Sequence, residues 1–284
     1  MVSLVYIIAG VPQGSKIGPL AFVTKINRLP DIAVTDKTSG KEHVLIFMDV
    51  TTVSEILDMN NEPWPVGNIQ ENVERISRFS KEQKMRLKKR RKWSDLRIKK
   101  SDLPMIMIDN IAIERTTSYK LLGIWIESDF KWNKNTYSIV KKGKKRLFIL
   151  KVLKKYGAPA KDLLMFYCSV NRSVLEYGDI LWHGGLTSLQ SQDIVRIQKR
   201  ELRIIAPDLY YEDALATFKL SSSKERRELH CIELIKRMSS PLHKLHYLLP
   251  EKVRNVRQRG TRYDGNTFYN FKCRTDRFKK RPCF

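Results

Sequence analysis

Apolar positions along the chain change their period near residue 130. Val44-Leu45-Ile46-Phe47 form a continuous apolar run, as in a buried strand. With residues 43–57 around them they predict a strand, a short turn and a second strand, with Asp49 at the tip. Asn60 to Asn68 carries Pro63, Pro65 and Gly67 and reads as a loop. Ile69, Val73, Ile76 and Phe79 recur at helical spacing and predict a helix over 69–88. Residues 105–113 and 119–126 read as strands. After Phe130 the period is helical throughout. One helix is predicted over 136–156, closed by Gly157 as a C-cap. Pro159 opens a second helix to about Tyr177. A third covers 188–205, with Ile194, Ile197, Leu202 and Ile205 on one face, and a fourth covers roughly 224–239. The fold class expected is α+β: a small sheet followed by an all-α module. The expected divisions are 1–130, 131–250 and a basic, loosely ordered tail over 251–284.

Composition narrows the class. A chain of 284 residues that is 42% hydrophobic can bury a core. No apolar run approaches the ~18 residues of a membrane span, so no membrane partner is expected. Met1 to Gly10 is apolar but has no basic flank, and reads as a strand. Cys168, Cys231, Cys273 and Cys283 stand far apart, which suits reduced thiols and an intracellular, nuclear or cytoplasmic, location.

Charge changes the picture most. The net charge of +24 points to a polyanion, nucleic acid first. The excess is clustered. Residues 78–100 hold 12 Lys/Arg and 2 Asp/Glu, residues 141–155 hold 8 and none, and residues 252–281 hold 11 and 2. In the second and third runs the cations alternate with Leu147, Phe148, Leu150, Tyr263, Phe268, Tyr269 and Phe271, a mixture suited to phosphate contact and base stacking, or to packing with basic flanks. Lys141, Lys142, Lys144, Lys145 and Arg146 are the candidates for gripping a backbone. His243 and His246 with His230 and Cys231 match no strong zinc spacing and read as helix surface.

Several short blocks carry a resemblance. Gly10-Val-Pro12-Gln13-Gly14-Ser15 precedes Gly18-Pro-Leu20 and Ile26-Asn-Arg-Leu-Pro30, and Phe47-Met-Asp49-Val50 follows. Downstream lie Tyr119-Lys-Leu-Leu-Gly-Ile-Trp-Ile126 with Trp132, Leu175-Glu-Tyr-Gly178 with Trp182, and Gln198-Lys-Arg200 through Ile205; Cys273 to Lys279 is similar to the end of such elements. In this order they resemble the reverse transcriptases of non-LTR retrotransposons (the jockey and CR1-like group), RNA-directed DNA polymerases. The resemblance implies a partial palm sheet followed by a thumb and connection module, with fingers and motif A missing from this chain. It implies RNA, DNA or an RNA–DNA hybrid as partner, dNTP as the only small substrate, and Mg²⁺ as the cofactor. It places Asp49 as the remaining catalytic and metal-binding carboxylate. Pro12, Gln13, Gly14 and Arg91 are placed at nucleotide and template. Val50 stands where a second aspartate is expected, and valine cannot ligate a metal. The expectation is therefore a remnant that binds nucleic acid without polymerising. A polymerase completed by separate N-terminal parts and a retroelement fossil without a role stand beside it.

Overall fold

The computed structural model describes residues 42–47, 50–55, 69–83, 92–93 and 105–249. The chain divides into two units, Met1–Thr117 and Ser118–Phe284.

In the first unit β1 (Glu42–Phe47) and β2 (Val50–Glu55) pair antiparallel, with Phe47 opposite Val50. Helix α1 (Ile69–Glu82) buries Ile76 and Phe79. Its Gln70 side chain treats Met107 as a neighbouring strand would, donating to the carbonyl at 3.0 Å and accepting from the amide at 2.9 Å. The remaining strands are two residues each: β3 (Lys92–Trp93), β4 (Met107–Ile108), β5 (Ile111–Ala112) and β6 (Glu114–Arg115). The expected single strand over 105–113 is a tight hairpin. Asp109 and Asn110 have φ of 51° and 61°, and positive φ at both loop positions turns the chain back on itself.

The second unit opens with another such hairpin, β7 (Ser118–Leu121) and β8 (Ile124–Glu127), where one strand over 119–126 was expected. Among the described residues the strands form four separate two-stranded pairs, so the expected palm sheet is not found. Mixed helix and small sheets is the architecture. Helix α2 (Asn133–Lys155) has no side-chain cap of its own, since Trp132 occupies the N-cap position at φ 62°. Glu127 at the end of β8 caps it from outside, accepting from the Lys134 amide at 3.0 Å. The far end closes as the sequence predicts. Gly157, at φ 81°, donates to the Lys154 carbonyl and Ala158 donates to that of Leu153, the paired bonds of a Schellman turn.

The helix expected from Pro159 to Tyr177 is α3 (Ala160–Phe166), a π-helical turn (Tyr167–Asn171) and α4 (Arg172–Leu175). Then follow α5 (Asp179–Trp182), a 3₁₀ turn (His183–Gly185), α6 (Ser188–Ile205), α7 (Tyr211–Thr217) and α8 (Ser223–Met238). Capping boxes start α6 (Thr187 with Gln190) and α8 (Ser222 with Glu225). One apolar cluster joins Trp132 and, from α2, Ile139 and Leu147 to Leu175, Trp182, Ile194 and Ile197; a second joins Leu150, Leu163, Tyr167, Leu202 and Ile205.

Gly178 ties the hairpin to the helices. It sits at φ 63°, and a Cβ there would collide with the buried Ile124 side chain. Gly178→Ala is expected to lose about 2–4 kcal/mol, combining left-handed backbone strain with overpacking. A urea titration of the full chain measures it, and an unchanged midpoint would refute the packing described.

Candidate nucleic-acid interface

Helices α2 and α6 run side by side in the same direction. Gln190 at the start of α6 donates to the Asn133 side chain at 2.7 Å, and Lys154 near the end of α2 donates to the Ile205 carbonyl at 3.2 Å. Gly143 allows the close approach, because a Cβ there would already touch Ile197 at 3.0 Å.

The inner face of α2 carries Ile139, Gly143, Leu147 and Leu150. Helical periodicity then forces another set outward. Tyr137, Lys141, Lys144, Phe148, Lys151 and Lys155 are all exposed and recur three or four residues apart along one stripe, with the exposed Lys145 at its edge. Lys141 stands 5.7 Å over the Tyr137 ring. Among the described residues no carboxylate pairs with Lys141, Lys142, Lys144 or Lys145. Arg146 behaves differently. It is half-buried and donates to the Val170 carbonyl in the π-helical turn. Leu147 and Leu150, adjacent in sequence to these cations, lie in the core rather than on the stripe, whereas Phe148 is exposed. Pro12, Gln13, Gly14, Asp49 and Arg91 lie outside the described residues, as does the basic run after residue 250.

A groove of about 450 Å³ follows the seam between α2 and α6. Tyr137, Val140, Leu189 and Ile197 give it apolar walls, Asn133, Gln190 and Asp193 are toward one end, and Lys144 and Arg200 are toward the other. Sequence reading missed Tyr137 and Arg200. Their signal was the helical spacing to Lys141 and Lys144 on one helix and to Arg196 and Ile197 on the other, but only the pairing of the two helices joins them.

The other charged cluster holds α8 in place. Arg226 makes a two-pronged pair with Glu176 at 2.6 and 3.0 Å, and His230 meets Asp179 at 2.6 Å. Burial pushes the Asp179 carboxyl up despite that partner. Arg227, fully buried, donates to Ser223 at 2.6 Å, to Ser191 at 2.9 Å and to His183 at 3.3 Å. Burial pulls Arg227 down to about 10, and burial with the Arg227 charge pulls His183 down to about 4. These groups satisfy one another, which describes a structural clamp. His246 bonds the Met238 carbonyl at 2.8 Å and His243 bonds the Leu245 amide at 3.2 Å. Among the described residues no group of three or more His, Cys, Asp or Glu is placed to hold a metal ion.

Comparison with known families meets the chain at this helix. A family model described as Alkylated DNA repair protein alkB homolog 8, N-terminal, matches residues 132–170. The match covers α2, α3 and most of the π-helical turn, well under half of the chain, and assigns no family to the whole. No curated protein and no solved structure matches.

The match overturns the resemblance to retrotransposon reverse transcriptases, because the segment read as a polymerase thumb matches a different family. The activity and the transposon origin fall with it. The dNTP and Mg²⁺ expected from that resemblance are not tested by the described residues, and Asp49 lies outside them. Packing accounts for the described blocks that suggested it. Leu122 and Gly123 form the β7–β8 turn at φ 45° and 92°. Gly178 makes room for Ile124, and Trp182 fills the core. Gln198 is a buried junction that accepts from the Tyr211 hydroxyl at 2.8 Å and from the Ser223 amide at 2.6 Å. Among the described residues, no helix is long and apolar enough to cross a membrane.

Proposed function

We propose that the helical unit binds nucleic acid, with the outer stripe of α2 gripping the sugar–phosphate backbone. The observation that carries this is the stripe itself: Lys141, Lys144, Lys145, Lys151 and Lys155 exposed on one face, with no acidic residue anywhere in the helix. A row of cations at helical spacing on a rigid element neutralises successive phosphates and releases their counterions. The chain's +24 charge supports the same partner, and so does the matching family, described as a DNA repair protein, whose match includes this stripe. Recognition is of the backbone, so RNA, DNA and an RNA–DNA hybrid are all bound, and sequence matters little.

Fluorescence anisotropy of the full chain with labelled RNA, DNA and hybrid across a salt series tests it. With about five phosphate contacts, one for each lysine of the stripe, affinity should fall roughly 10²–10³-fold between about 50 and 200 mM salt. Lys141→Gln with Lys145→Gln should flatten the salt slope by about two and weaken binding at least tenfold at low salt, while Lys→Arg at both positions keeps it. Binding that ignores salt, or is unchanged in the glutamine variant, would refute the proposal.

A further inference from the structure

We infer that the groove between α2 and α6 seats one unpaired nucleotide of a single-stranded polynucleotide, its base against Tyr137 and its phosphate between Lys144 and Arg200. This rests on the nucleic-acid reading of the stripe and adds to it a preference for single strands.

The groove is contiguous with the stripe, since Tyr137 and Lys144 belong to both. A backbone tracking α2 therefore passes its mouth. Its volume of about 450 Å³ lies within the ~300–1,000 Å³ of small-ligand sites, and its lining is divided as a nucleotide is. The apolar middle offers Tyr137, 67% exposed, and Leu189, 61% exposed, with Val140 and Ile197 beside them. Large apolar side chains left this open beside a cationic row suit a flat, weakly hydrated base. The Lys144 and Arg200 end suits phosphate. Toward the other end Asp193 is paired with Arg196 at 2.7 Å, a neutral couple that offers a phosphate no net attraction and leaves the carboxylate to accept from base N–H groups. A duplex keeps its base faces stacked inside, so it can use the stripe and not the groove.

The test measures binding of a short labelled oligouridylate, its DNA counterpart and a duplex of equal length to the full chain carrying Tyr137→Ala, Tyr137→Phe or Phe148→Ala. Both rings are exposed, so the melting temperature should stay unchanged and folding is not at issue. Tyr137→Ala should weaken single-strand binding about tenfold and duplex binding clearly less, since it removes only the ring under Lys141 from the stripe, with Tyr137→Phe close to the parent. Phe148→Ala, on the stripe but outside the groove, should do less than Tyr137→Ala. Equal losses for single strand and duplex, equal effects of the two alanine variants, or no effect of Tyr137→Ala would overturn the groove and leave the stripe standing. Failure of the parent chain to bind either form would overturn both.

Discussion

Trp182→Ala is expected to lose about 3–5 kcal/mol, the range for emptying an aromatic site in a core. The ring is fully buried among Ile124, Trp132, Ile139, Leu147, Leu175, Ile194 and Ile197. It therefore binds the hairpin, α2, α4 and α6 into one cluster. Its indole N–H donates to the Tyr177 carbonyl at 3.1 Å, just before the turn at Gly178, and the Arg227 guanidinium lies 5.9 Å from the ring centre. Truncation leaves a cavity, an unpaired carbonyl and a buried cation without its aromatic neighbour. Trp182→Phe separates these effects. It keeps most of the apolar contact and loses the hydrogen bond, so it should cost about 1–3 kcal/mol. Denaturation followed by helical circular dichroism measures both, and a loss under about 1 kcal/mol for Trp182→Ala would mean the ring is peripheral to the fold.

The second large effect is on pH. Glu201 is fully buried on the inner side of α6, and among the described residues neither carboxyl oxygen meets a donor in full hydrogen-bond geometry, the Asn171 amide beside it giving only partial help. Burial pushes its pKa up from 4.5 to about 8, only partly opposed by the neighbouring Asn171 and Arg146. The folded state therefore holds a proton that the unfolded chain releases. The stability this brings is complete below pH 4.5 and is lost as pH rises towards about 8. Burial raises Asp179 and acts in the same direction. His183 acts the other way: burial lowers it from 6.5 to about 4, so its share is complete above pH 6.5 and is lost as pH falls towards 4. Between 4.5 and 6.5 the two limbs oppose each other. Above 6.5 only the carboxyl limb operates, and stability should fall by about 1.4 kcal/mol per pH unit up to about 8. Glu201→Gln keeps the shape and removes the titration, so its stability should be nearly level over that window. A parent chain as stable at pH 8 as at 6.5 would show that the carboxyl is not held in its protonated form.

Binding and stability meet on α2. Leu150 packs in the same cluster as Leu202, next to Glu201 in α6, and Ile205, one turn beyond it. Variants that loosen this contact should blunt both the groove and the stripe, whereas exposed lysine substitutions should touch binding alone. That contrast separates the phosphate grip from the scaffold that aims it.

What the sequence determined by itself is local. The helices over 133–155, 188–205 and 223–238 are legible because their bonds join residues four apart and their core faces repeat with the same period. Thr187 with Gln190 and Ser222 with Glu225 start helices by bonds spanning three residues, and Gly157 ends one for a reason of its own backbone. The lysine run over 141–155 is likewise plain as charge. Tertiary structure alone decided which of those cations face solvent and which, like Arg146, turn inward. It also decided that Tyr137 and Arg200 line one groove, and that Glu201, Gln198 and Arg227 are buried polar residues although their types predict surface. The two-residue turns at Asp109-Asn110 and Leu122-Gly123 were hidden for a related reason: they are left-handed conformations held by the strand pairing on either side. The described family-like blocks have packing roles of their own: Gly123 and Gly178 serve turns, Trp182 fills the core and Gln198 is a buried junction. Burial and long-range pairing depend on partners tens of residues away, and no local period encodes them.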